Sequence, residues 1–382
     1  MLSGIDVVLF RPDGELGRLA GRAVELGIAD AIKAAGSEDE LHTALSGSAP
    51  GQDWLADWEA VKTPWFYYSN GNGFYHHHRS WIDDPAVPLA YLRNYIERLQ
   101  AGEDLTRPLA EVSAERDRIS AEYRALLEAD DAITAFDQNL GLARLVFPYV
   151  ESHNFYVEHW YHTIFWNKVR EFGALLAHHR FLDDAEDIFY LQRHEISDAL
   201  VDLRLAWAAG SVGRGPGYWP PVVEKRKRIM DAMRLFTPPP ALGAVPDAIT
   251  EPATIMLWGI TTERVQAWAA PDRDAAATIT GFAGSPGVVE GPARVILEVD
   301  RLGDLQQGEI LVAPVTSPSW TPVFGTIAAA VSDVGGIMSH AAIVSREYKL
   351  PAVVGTGNAT SRIKTGDRLR VDGDTGTATI LS

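Results

Sequence analysis

The sequence contains no cysteine among its 382 residues. Disulfides, thiolate catalysis, cysteine zinc sites and iron–sulfur clusters are therefore excluded. Apolar runs of the ~18 residues that suggest a membrane span are also missing, and the first residues lack the basic lead of a secretory signal. The formal net charge of −17 argues against a large surface for nucleic acid or anionic lipid. We therefore expect a soluble cytoplasmic protein.

Two parts of the chain differ in composition. Of the 36 aromatic residues, 32 precede residue 281, as do ten of the eleven histidines, whereas 14 of the 33 glycines lie in the last 102 residues. The later part alternates short β-branched runs with glycine turns, and it has one clear helix at 339–349. The earlier part has apolar residues at helical spacing, with less regular segments at 1–50 and 64–85. Its predicted helices are 86–101, 113–129, 151–180, 193–209 and 222–235.

This pattern predicts a multidomain α + α/β protein. A mostly helical, aromatic-rich domain is expected over 1–270, a linker over 271–285, and a β/β/α domain over 286–382. The proline-rich stretch 237–252 marks the end of the helical region because proline offers no amide donor.

One histidine in the later part stands where a strand gives way to a helix. After Gly335 and Gly336 the chain reaches Ser339, a suitable N-cap, and then His340. Glycines allow a backbone to approach a ligand closely, and a helix N-terminus suits a phosphoryl group. An imidazole placed there can act as a nucleophile and carry phosphate. The alternative is a histidine with a structural role at the start of a helix.

The segment 331–355 resembles the swivelling phosphohistidine domain of the PEP-utilising enzymes, such as PEP synthase and pyruvate phosphate dikinase. The upstream segments 284–295 and 309–324 also resemble that domain, so the resemblance covers about residues 280–382. It implies that His340 carries a phosphoryl group. It also implies that Gly335, Gly336 and Ser339 lie around that group. Met338 replaces a threonine that is common in the dikinases, so regulation by phosphorylation there is not expected. The matching residues are Gly335, Gly336, Ser339, His340, Ala341, Ala342, Ile343, Val344, Arg346, Glu347, Pro351, Ala352, Val353, Val354 and Gly355.

Two companion domains of that family have no counterpart in the sequence as given. It ends directly after the segment that resembles the carrier domain, where those enzymes have a PEP/pyruvate barrel. Residues 1–280 lack a glycine-rich phosphate loop after a strand. We therefore expect no PEP or pyruvate chemistry on this chain. We also expect a separate ATP-grasp subunit to bind ATP with Mg²⁺ and to phosphorylate His340.

The segment 147–177 combines titratable groups with large aromatic side chains. On an α-helix Glu151, Glu158 and His162 fall near one face. Such a set is typical of a small-molecule site, but a helix packed by aromatic residues remains an alternative. A Glu/His metal site is a third reading, and its remaining ligands cannot be named, so no metal ligand set is predicted. The candidate base or acceptor-site groups are His153, Glu158, His159 and His162, with Arg170 for phosphate charge and Phe155, Trp160 and Trp166 as walls.

A second cluster lies in the irregular stretch 64–84. Three adjacent histidines cannot all face one way, so we expect one or two of His76, His77 and His78, with Arg79, to face a site. His76 and His78 are the candidates for binding the acceptor. The planar fork of Arg79 suits phosphate oxygens, although pairing with a nearby aspartate is equally compatible with the sequence. Trp65 and Tyr67 are expected to bind the acceptor.

Two further resemblances concern this helical region. The segment 153–196 is similar to the acceptor region of rifampin phosphotransferase-like proteins, on Asp187-Ile188-Phe189-Tyr190-Leu191 and Glu195-Ile196. The whole layout, including 64–84, resembles the carrier subunits of phenylphosphate synthase and 4-methylphenylphosphate synthase, which use a partner with an ATP-binding domain. The resemblance implies transfer from His340 to a phenolic hydroxyl. Other hydroxyl acceptors, such as an antibiotic or a sugar, and a non-catalytic phosphocarrier remain alternatives.

Overall fold

A computed structural model describes residues 1–71, 73–236, 243–244, 246–269 and 277–381. In these residues the helices predominate up to 269, and the strands all lie from 278 onward. The expected multidomain α + α/β class is confirmed. A helix with the length and apolarity needed to span a bilayer does not occur in the part of the chain that the structure describes.

The predicted helices of the earlier part correspond to helices in the structure, and further helices precede them. We expect residues 1–50 to be less regular, yet apolar residues at 16, 19, 20 and 23 give α1 one fully buried face. A π-helical segment, Asn154–Tyr161, separates α7 from α8. The helices are α1 (Arg11–Glu25), α2 (Ala29–Ala34), α3 (Glu38–Leu45), α4 (Ala49–Trp65), α5 (Ala86–Gln100), α6 (Leu109–Ala125), α7 (Asp130–His153), α8 (His162–His178), α9 (Arg193–Ala209), α10 (Gly215–Arg234), α11 (Pro252–Trp258) and α12 (Thr262–Ala269).

Residues 277–381, called here the sheet domain, form one mixed sheet. Its strand order is β1-β8-β7-β3-β4-β5-β6-β2, with β3, β4, β5 and β6 parallel and the remaining pairs antiparallel. The central strands β4 and β5 are buried at every position, as continuous apolar runs require. The elements are β1 (Thr278–Thr280), β2 (Phe282–Ser285), β3 (Val288–Val295), β4 (Ile310–Ala313), β5 (Ala329–Ser332), α13 (His340–Tyr348), β6 (Ala352–Val354), α14 (Ala359–Arg362), β7 (Arg368–Asp372) and β8 (Thr377–Ile380).

The sheet begins earlier in the chain than expected. Strands β1 and β2 lie inside the predicted linker 271–285 and pair with β8 and β6. Gly281 joins them closely to the sheet: its amide donates to the carbonyl of Gly376 at 2.7 Å, and a Cβ there would lie 2.5 Å from Val353. Residues 277–285 are therefore part of the sheet domain, and residues 271–276 lie outside the described residues.

The chain forms two compact units, residues 1–160 with 244–382, and residues 161–243. Helices α1–α7, with the residues that join them up to 160, are called here the helical part. They share a unit with the sheet domain because both contribute to one buried cluster, which includes Leu16, Leu92, Val323 and Val344. The packing thus groups the helical part with the sheet domain, whereas the sequence predicted a domain boundary between them near 270–286. The second unit has its own core, with Phe181, Ile188 and Trp219.

Candidate active site

His340 is the first residue of α13, in the loop-to-helix transition that follows β5. Thr316 follows β4, the parallel neighbour of β5. Because the carboxyl ends of parallel strands meet at one edge of a sheet, the two residues come together there. Thr316 Oγ1 lies 2.8 Å from His340 Nδ1, and Thr321 Oγ1 lies 3.2 Å from His340 Nε2. Each ring nitrogen therefore lies within hydrogen-bond distance of a threonine hydroxyl. One hydroxyl can donate to the unprotonated nitrogen, and the other can accept from the protonated nitrogen.

The environment keeps this imidazole neutral. Burial, with a smaller contribution from the charge on His159, lowers the pKa of His340 from 6.5 to about 3. Phe324 adds an edge-on aromatic contact, with ring centroids 5.9 Å apart. At pH 7 one nitrogen thus holds a lone pair, which a nucleophile needs.

The glycine loop before His340 makes a contact that the sequence did not indicate. The amides of Gly335 and Gly336 donate to the carbonyls of Trp258 and Leu257, at 3.2 and 2.9 Å. A Cβ on Gly336 would lie 2.2 Å from the carbonyl oxygen of Met256. Because these glycines have no side chains, helix α11 can approach the glycine loop, and the glycine amides form hydrogen bonds to the carbonyls of α11. The predicted phosphate-binding role of the two glycines stays a prediction.

Ser339 occupies the N-cap position of α13, but its side chain makes no cap hydrogen bond. The expected side-chain cap is therefore wrong. Its Oγ is buried and has no hydrogen-bond partner among the described residues. Lying next to His340, this hydroxyl fits the predicted role of binding phosphate, which stays a prediction.

His159 is the histidine of the helical part whose charge reaches His340. It lies in the π-helical segment and is completely buried. The backbone amide of Ser69 donates to His159 Nδ1 at 3.2 Å, and Ser69 Oγ lies 3.2 Å from the same nitrogen. The Tyr68 ring packs 4.9 Å from the imidazole.

An aromatic cluster continues from Tyr68. It consists of Trp65, Tyr67, Tyr68, Phe155 and Trp160. The ring centroids of Tyr68 and Phe155 are 4.7 Å apart, those of Trp65 and Phe155 5.4 Å, and those of Tyr67 and Trp160 5.1 Å. The structure thus brings together four of the aromatic residues predicted to bind an acceptor, and it adds Tyr68.

Two carboxylates of the helical part interact near this cluster. Burial raises the pKa of Glu151 to about 7, and the charge of Glu158 adds to this effect. Asn154 Nδ2 donates to Glu158 Oε2 at 3.1 Å. The charge of Glu151 also raises the pKa of Tyr68, whose shift is mainly due to burial. Glu151 is therefore a group that exchanges its proton near neutral pH.

The other site residues predicted in this region divide between the two units. His153 is exposed and lies near Tyr149, with ring centroids 6.5 Å apart. His162, Trp166 and Arg170 belong to the second unit. The expected common face for Glu151, Glu158 and His162 assumed α-helical spacing. The π-helical segment bonds i to i+5 and so changes that spacing, and the common face stays a prediction.

In the second unit Arg170 is engaged by neighbouring side chains. Its guanidinium donates to Glu186 Oε1 at 2.9 Å and to Asn167 Oδ1 at 3.0 Å. Trp166 packs against Phe189, with ring centroids 5.8 Å apart. These contacts give Arg170 and Trp166 a structural role in their own unit.

The histidine run lies in the loop between Ser69 and Ser80, which form an antiparallel bridge. His76, His78 and Arg79 are half-buried, whereas the histidine between them is exposed. Burial lowers the pKa of His78 to about 4, and the two neighbouring histidines contribute. A Cβ on Gly71 would lie 2.5 Å from the His78 ring, so this loop is closely packed.

One convergent set of potential metal ligands occurs among the described residues, and it differs from the set considered above. It consists of Glu38, His42 and Glu59. Lys62 Nζ lies 2.6 Å from Glu38 and 2.8 Å from Glu59, so an ammonium group already holds the cation position.

Thr316, Thr321, Ser69 and Tyr68 were not predicted as site residues. The two threonines lie in the segment 309–324, which resembles the phosphohistidine domain. That resemblance marked the segment as part of the domain, but it did not indicate what either threonine does. Nothing in the sequence relates Ser69 to His159, since 90 residues separate them.

Comparison with known proteins agrees with this geometry. A family model described as the mobile domain of PEP-utilising enzymes matches residues 305–376. The chain is 28% identical over 306 residues to phosphotransferase YvkC of Bacillus subtilis, covering 79% of this chain and 34% of that protein. It is 29% identical over 304 residues to a rifampicin phosphotransferase of Bacillus cereus, covering 79% and 32%. It is 48% identical over 101 residues to the phosphoenolpyruvate synthase of Aquifex aeolicus, covering 26% and 12%.

The fold and the matched residues define the sheet domain as a mobile domain that presents a histidine at the start of a helix. Residues 305–376 of the chain match the mobile domain of the PEP-utilising enzymes. The chain spans about a third or less of the length of these relatives.

Proposed function

We propose that this chain is the carrier and acceptor part of a phosphotransferase that phosphorylates a phenolic hydroxyl. In this proposal His340 receives a phosphoryl group derived from ATP and passes it to a compound of the phenol or p-cresol type. The observation that carries the proposal is the arrangement around His340. Its neutral ring is held by Thr316 and Thr321, and the charge on His159 acts on it. His159 in turn packs against Tyr68 of the aromatic cluster.

Phosphoryl transfer through His340 proceeds in two displacements. In the first, the ring nitrogen with the lone pair forms a bond to phosphorus while the bond from phosphorus to the nucleotide oxygen breaks. In the second, the acceptor oxygen attacks phosphorus, the P–N bond breaks, and its electron pair returns to the imidazole. Catalysis of such steps is mainly positioning and charge stabilisation. The threonines hold the ring for both steps, and one hydroxyl must leave its nitrogen when the phosphoryl group arrives.

The aromatic cluster supports a flat apolar acceptor. A phenol has a pKa of about 10, as tyrosine does, so a base that takes its proton raises the rate typically by ~10²–10⁴-fold. A sugar site instead needs several polar side chains around one or two rings. Acceptors of the antibiotic type are the second candidate, which the name of the Bacillus cereus relative favours.

The proposal places ATP and Mg²⁺ on a separate ATP-grasp subunit. Its support is that the described residues before 244 form helices and one isolated β-bridge. Magnesium is expected there with the nucleotide phosphates rather than on side chains of this chain.

Phosphate transfer with purified components tests the proposal. The chain is mixed with ATP, Mg²⁺ and an ATP-grasp subunit, with and without p-cresol. Aryl phosphate and acid-labile phosphate on the protein are followed, and His340→Ala serves as the control. Aryl phosphate that requires both the partner and His340 is the expected result.

Two outcomes contradict it. Labelled His340 that no phenol discharges removes the phenolic acceptor and turns the search to antibiotics, sugars or a protein acceptor. If a competent partner produces no label on His340, the carrier role itself is wrong.

A further inference from the structure

Helix α11 ends in carbonyl groups that its own backbone leaves unsatisfied. The last carbonyls of any α-helix lack an intrahelical partner, and those of α11 accept from the glycine loop, residues 334–339. Three carbonyls and three amides thus satisfy one another, and separating the two segments would leave all six groups to water. The pairs are Met338 N with Met256 O at 3.0 Å, Gly336 N with Leu257 O at 2.9 Å, and Gly335 N with Trp258 O at 3.2 Å.

The two backbones approach so closely that a side chain would not fit on either side. A Cβ on Gly336 would lie 2.2 Å from the carbonyl oxygen of Met256, and one on Gly259 would lie 2.3 Å from the carbonyl oxygen of Gly335. Gly259 also ends α11 in the left-handed region, at φ 69°, which favours glycine. The contact is therefore specified by a glycine in each segment.

A short helical segment presents α11 to the glycine loop. It comprises residues 249–265 and is called here the α11 clamp. Thr262 Oγ1, at the start of α12, accepts from the amide of Ile249 at 2.7 Å and so ties the two ends of the clamp together. The guanidinium of Arg264 lies 4.4 Å from the centre of the Phe282 ring on β2. The clamp is thus anchored to the sheet domain at the loop and at β2.

A second segment, residues 355–360, also holds the glycine loop. The amide of Gly357 donates to the carbonyl of Asp333 at 2.8 Å, just before the loop begins. A Cβ on Gly355 would lie 2.3 Å from the carbonyl oxygen of Gly335, the same oxygen that the last residue of α11 approaches. The backbone that leads into His340 is therefore fixed by two segments, one of them outside the sheet.

We infer that the α11 clamp positions His340 for phosphorylation and that Gly259 is a positioning residue. The amides of Gly335 and Gly336 are engaged with α11, so they act on the phosphoryl group only through the position of His340. The inference rests on the carrier role of His340 in the proposed function. It needs neither the acceptor nor the ATP-grasp subunit. In the opposite case, in which α11 obstructs the loop amides, displacing α11 would speed phosphorylation.

The start of α13 decides where the carrier ring lies. Thr316 and Thr321 meet the two ring nitrogens of His340 at 2.8 and 3.2 Å, and both threonines come from another segment of the sheet domain. A shift of the glycine loop would move the imidazole relative to these hydroxyls. A misplacement of about 1 Å can lower a rate ~10²-fold. Holding the loop is therefore a way to hold the ring.

Hydrogen exchange tests the clamp without any substrate. Gly259→Ala places a methyl group against the carbonyl of Gly335 and displaces α11. We expect the amides of Gly335, Gly336 and Met338 to lose protection by about fivefold or more, as for one lost hydrogen bond. The amide of Gly357, which bonds to Asp333, should keep its protection.

Gly210→Ala is the matched control. Gly210 also ends an α-helix in the left-handed region, at φ 62°, so alanine meets the same backbone cost there. A Cβ at this position would meet no other segment of the described residues within 4 Å. We expect this variant to leave the exchange of the loop amides unchanged.

Labelling with phosphoramidate tests the positioning. This reagent needs neither ATP nor a partner: a ring nitrogen of His340 bonds to phosphorus while the P–N bond of the reagent breaks and ammonia leaves. The background of His340→Ala is subtracted. We expect Gly259→Ala to lower the labelling rate by ~10–10²-fold, and Gly210→Ala to leave it unchanged.

A milder pair of variants covers the case in which Gly259→Ala does not fold. Arg264→Ala removes the contact with Phe282 and should lower the labelling rate by roughly two- to fivefold, as for a lost cation–π contact. Arg214→Ala removes a contact of the same length, 4.4 Å, with Tyr218 in the second unit. This control should change the labelling rate little.

Three outcomes contradict the inference. Labelling that is unchanged or faster in Gly259→Ala, with its loop amides unprotected, would show that α11 is neutral or obstructive. Equal losses of rate and melting temperature in Gly259→Ala and Gly210→Ala would show a merely structural role. Loop amides that stay protected in Gly259→Ala would show that Gly259 does not control the contact.

Failure of the proposed function gives a different result. Wild-type His340 that takes no label contradicts its carrier role, whereas hydrogen exchange still shows whether the α11 clamp holds the glycine loop. Labelled His340 that phenols do not discharge contradicts the phenolic acceptor and leaves the positioning result intact.

Discussion

The neutrality of His340 is the property on which its chemistry depends. Burial lowers its pKa to about 3, and the two threonine hydroxyls satisfy its nitrogens. Glu151 has the opposite shift, to about 7, because burial and Glu158 disfavour its charge. One group is thus ready to attack at pH 7 and the other exchanges its proton there.

Thr316 is expected to orient His340 for attack. Thr316→Val removes the hydroxyl that lies 2.8 Å from Nδ1 and keeps the shape of the side chain. A net hydrogen bond contributes about 1 kcal/mol, so the rate of His340 phosphorylation should fall roughly fivefold or more. Labelling with phosphoramidate measures it, and Thr278→Val on the edge strand β1 is the control. An unchanged rate would show that the bond does not orient the ring.

Glu151 is expected to make stability depend on pH. Its pKa is raised from 4.5 to about 7, so the folded chain binds more protons than the unfolded chain in that window. The free energy of unfolding should therefore decrease as pH rises from about 4.5 to 7, and Glu151→Gln should remove this decrease. Urea unfolding at pH 5 and 8 measures it, with the exposed Glu128→Gln as control. The same slope in wild type and Glu151→Gln would refute the assignment.

The C-terminal end of helix α13 is held against the helical part. Tyr348 at this end donates to Asp13 Oδ2 at 2.8 Å. Next to it, the amide of Gly4 donates to Glu347 Oε1 at 2.8 Å. Tyr95 also donates to the half-buried Asp13. The orientation of the carrier histidine therefore depends on contacts at the far end of its helix.

Removing one of these contacts should destabilise the chain. Tyr348→Phe leaves the half-buried Asp13 carboxylate with one tyrosine donor fewer, and losing a bond to a charged group costs ~1–3 kcal/mol. The free energy of unfolding in urea should fall by that amount. Tyr123→Phe, at an exposed tyrosine, is the control and should change it little. Equal effects in the two variants would show that the contact with Asp13 contributes nothing.

Over the whole molecule, the sheet domain and the helical part share a single buried cluster. Trp320 and Phe324 of the sheet domain are buried in it with Leu89 and Leu92 of α5. In the proposed cycle this arrangement is the one that delivers phosphate to the acceptor. Loading from another subunit then requires the sheet domain to leave this surface, a motion of the kind that limits turnover in many enzymes.

A disulfide can test that motion, because the chain has no cysteine of its own. A Cβ built on Gly303 in the sheet domain lies 3.8 Å from the Cβ of Ala90 in α5, the usual spacing in a disulfide. In Ala90→Cys/Gly303→Cys, oxidation should preserve a single discharge of phosphoryl-His340 to the acceptor. It should abolish reloading by the ATP-grasp subunit, and reduction should restore reloading.

The single-cysteine variants are the controls. Oxidised protein that turns over continuously at the wild-type rate would show that the sheet domain is loaded without leaving the helical part.

The sequence by itself determined the glycine turn before His340, the strands around it and six of the fourteen α-helices of the described residues. These features depend on residues that are close together in the chain, where glycine turns, apolar periodicity and the motif at 331–355 act locally. The sequence also predicted which aromatic residues would form a cluster, but it did not indicate which histidine the cluster would contact.

Only the tertiary structure decided the partners of the reacting groups. Thr316 reaches His340 because β4 and β5 are parallel neighbours, and Ser69 reaches His159 across 90 residues. The π-helical segment shifted the register that regular α-helical spacing predicts. Hydrogen-bond partners, burial and therefore pKa values arise from contacts between distant segments, and local spacing carries no information about these contacts.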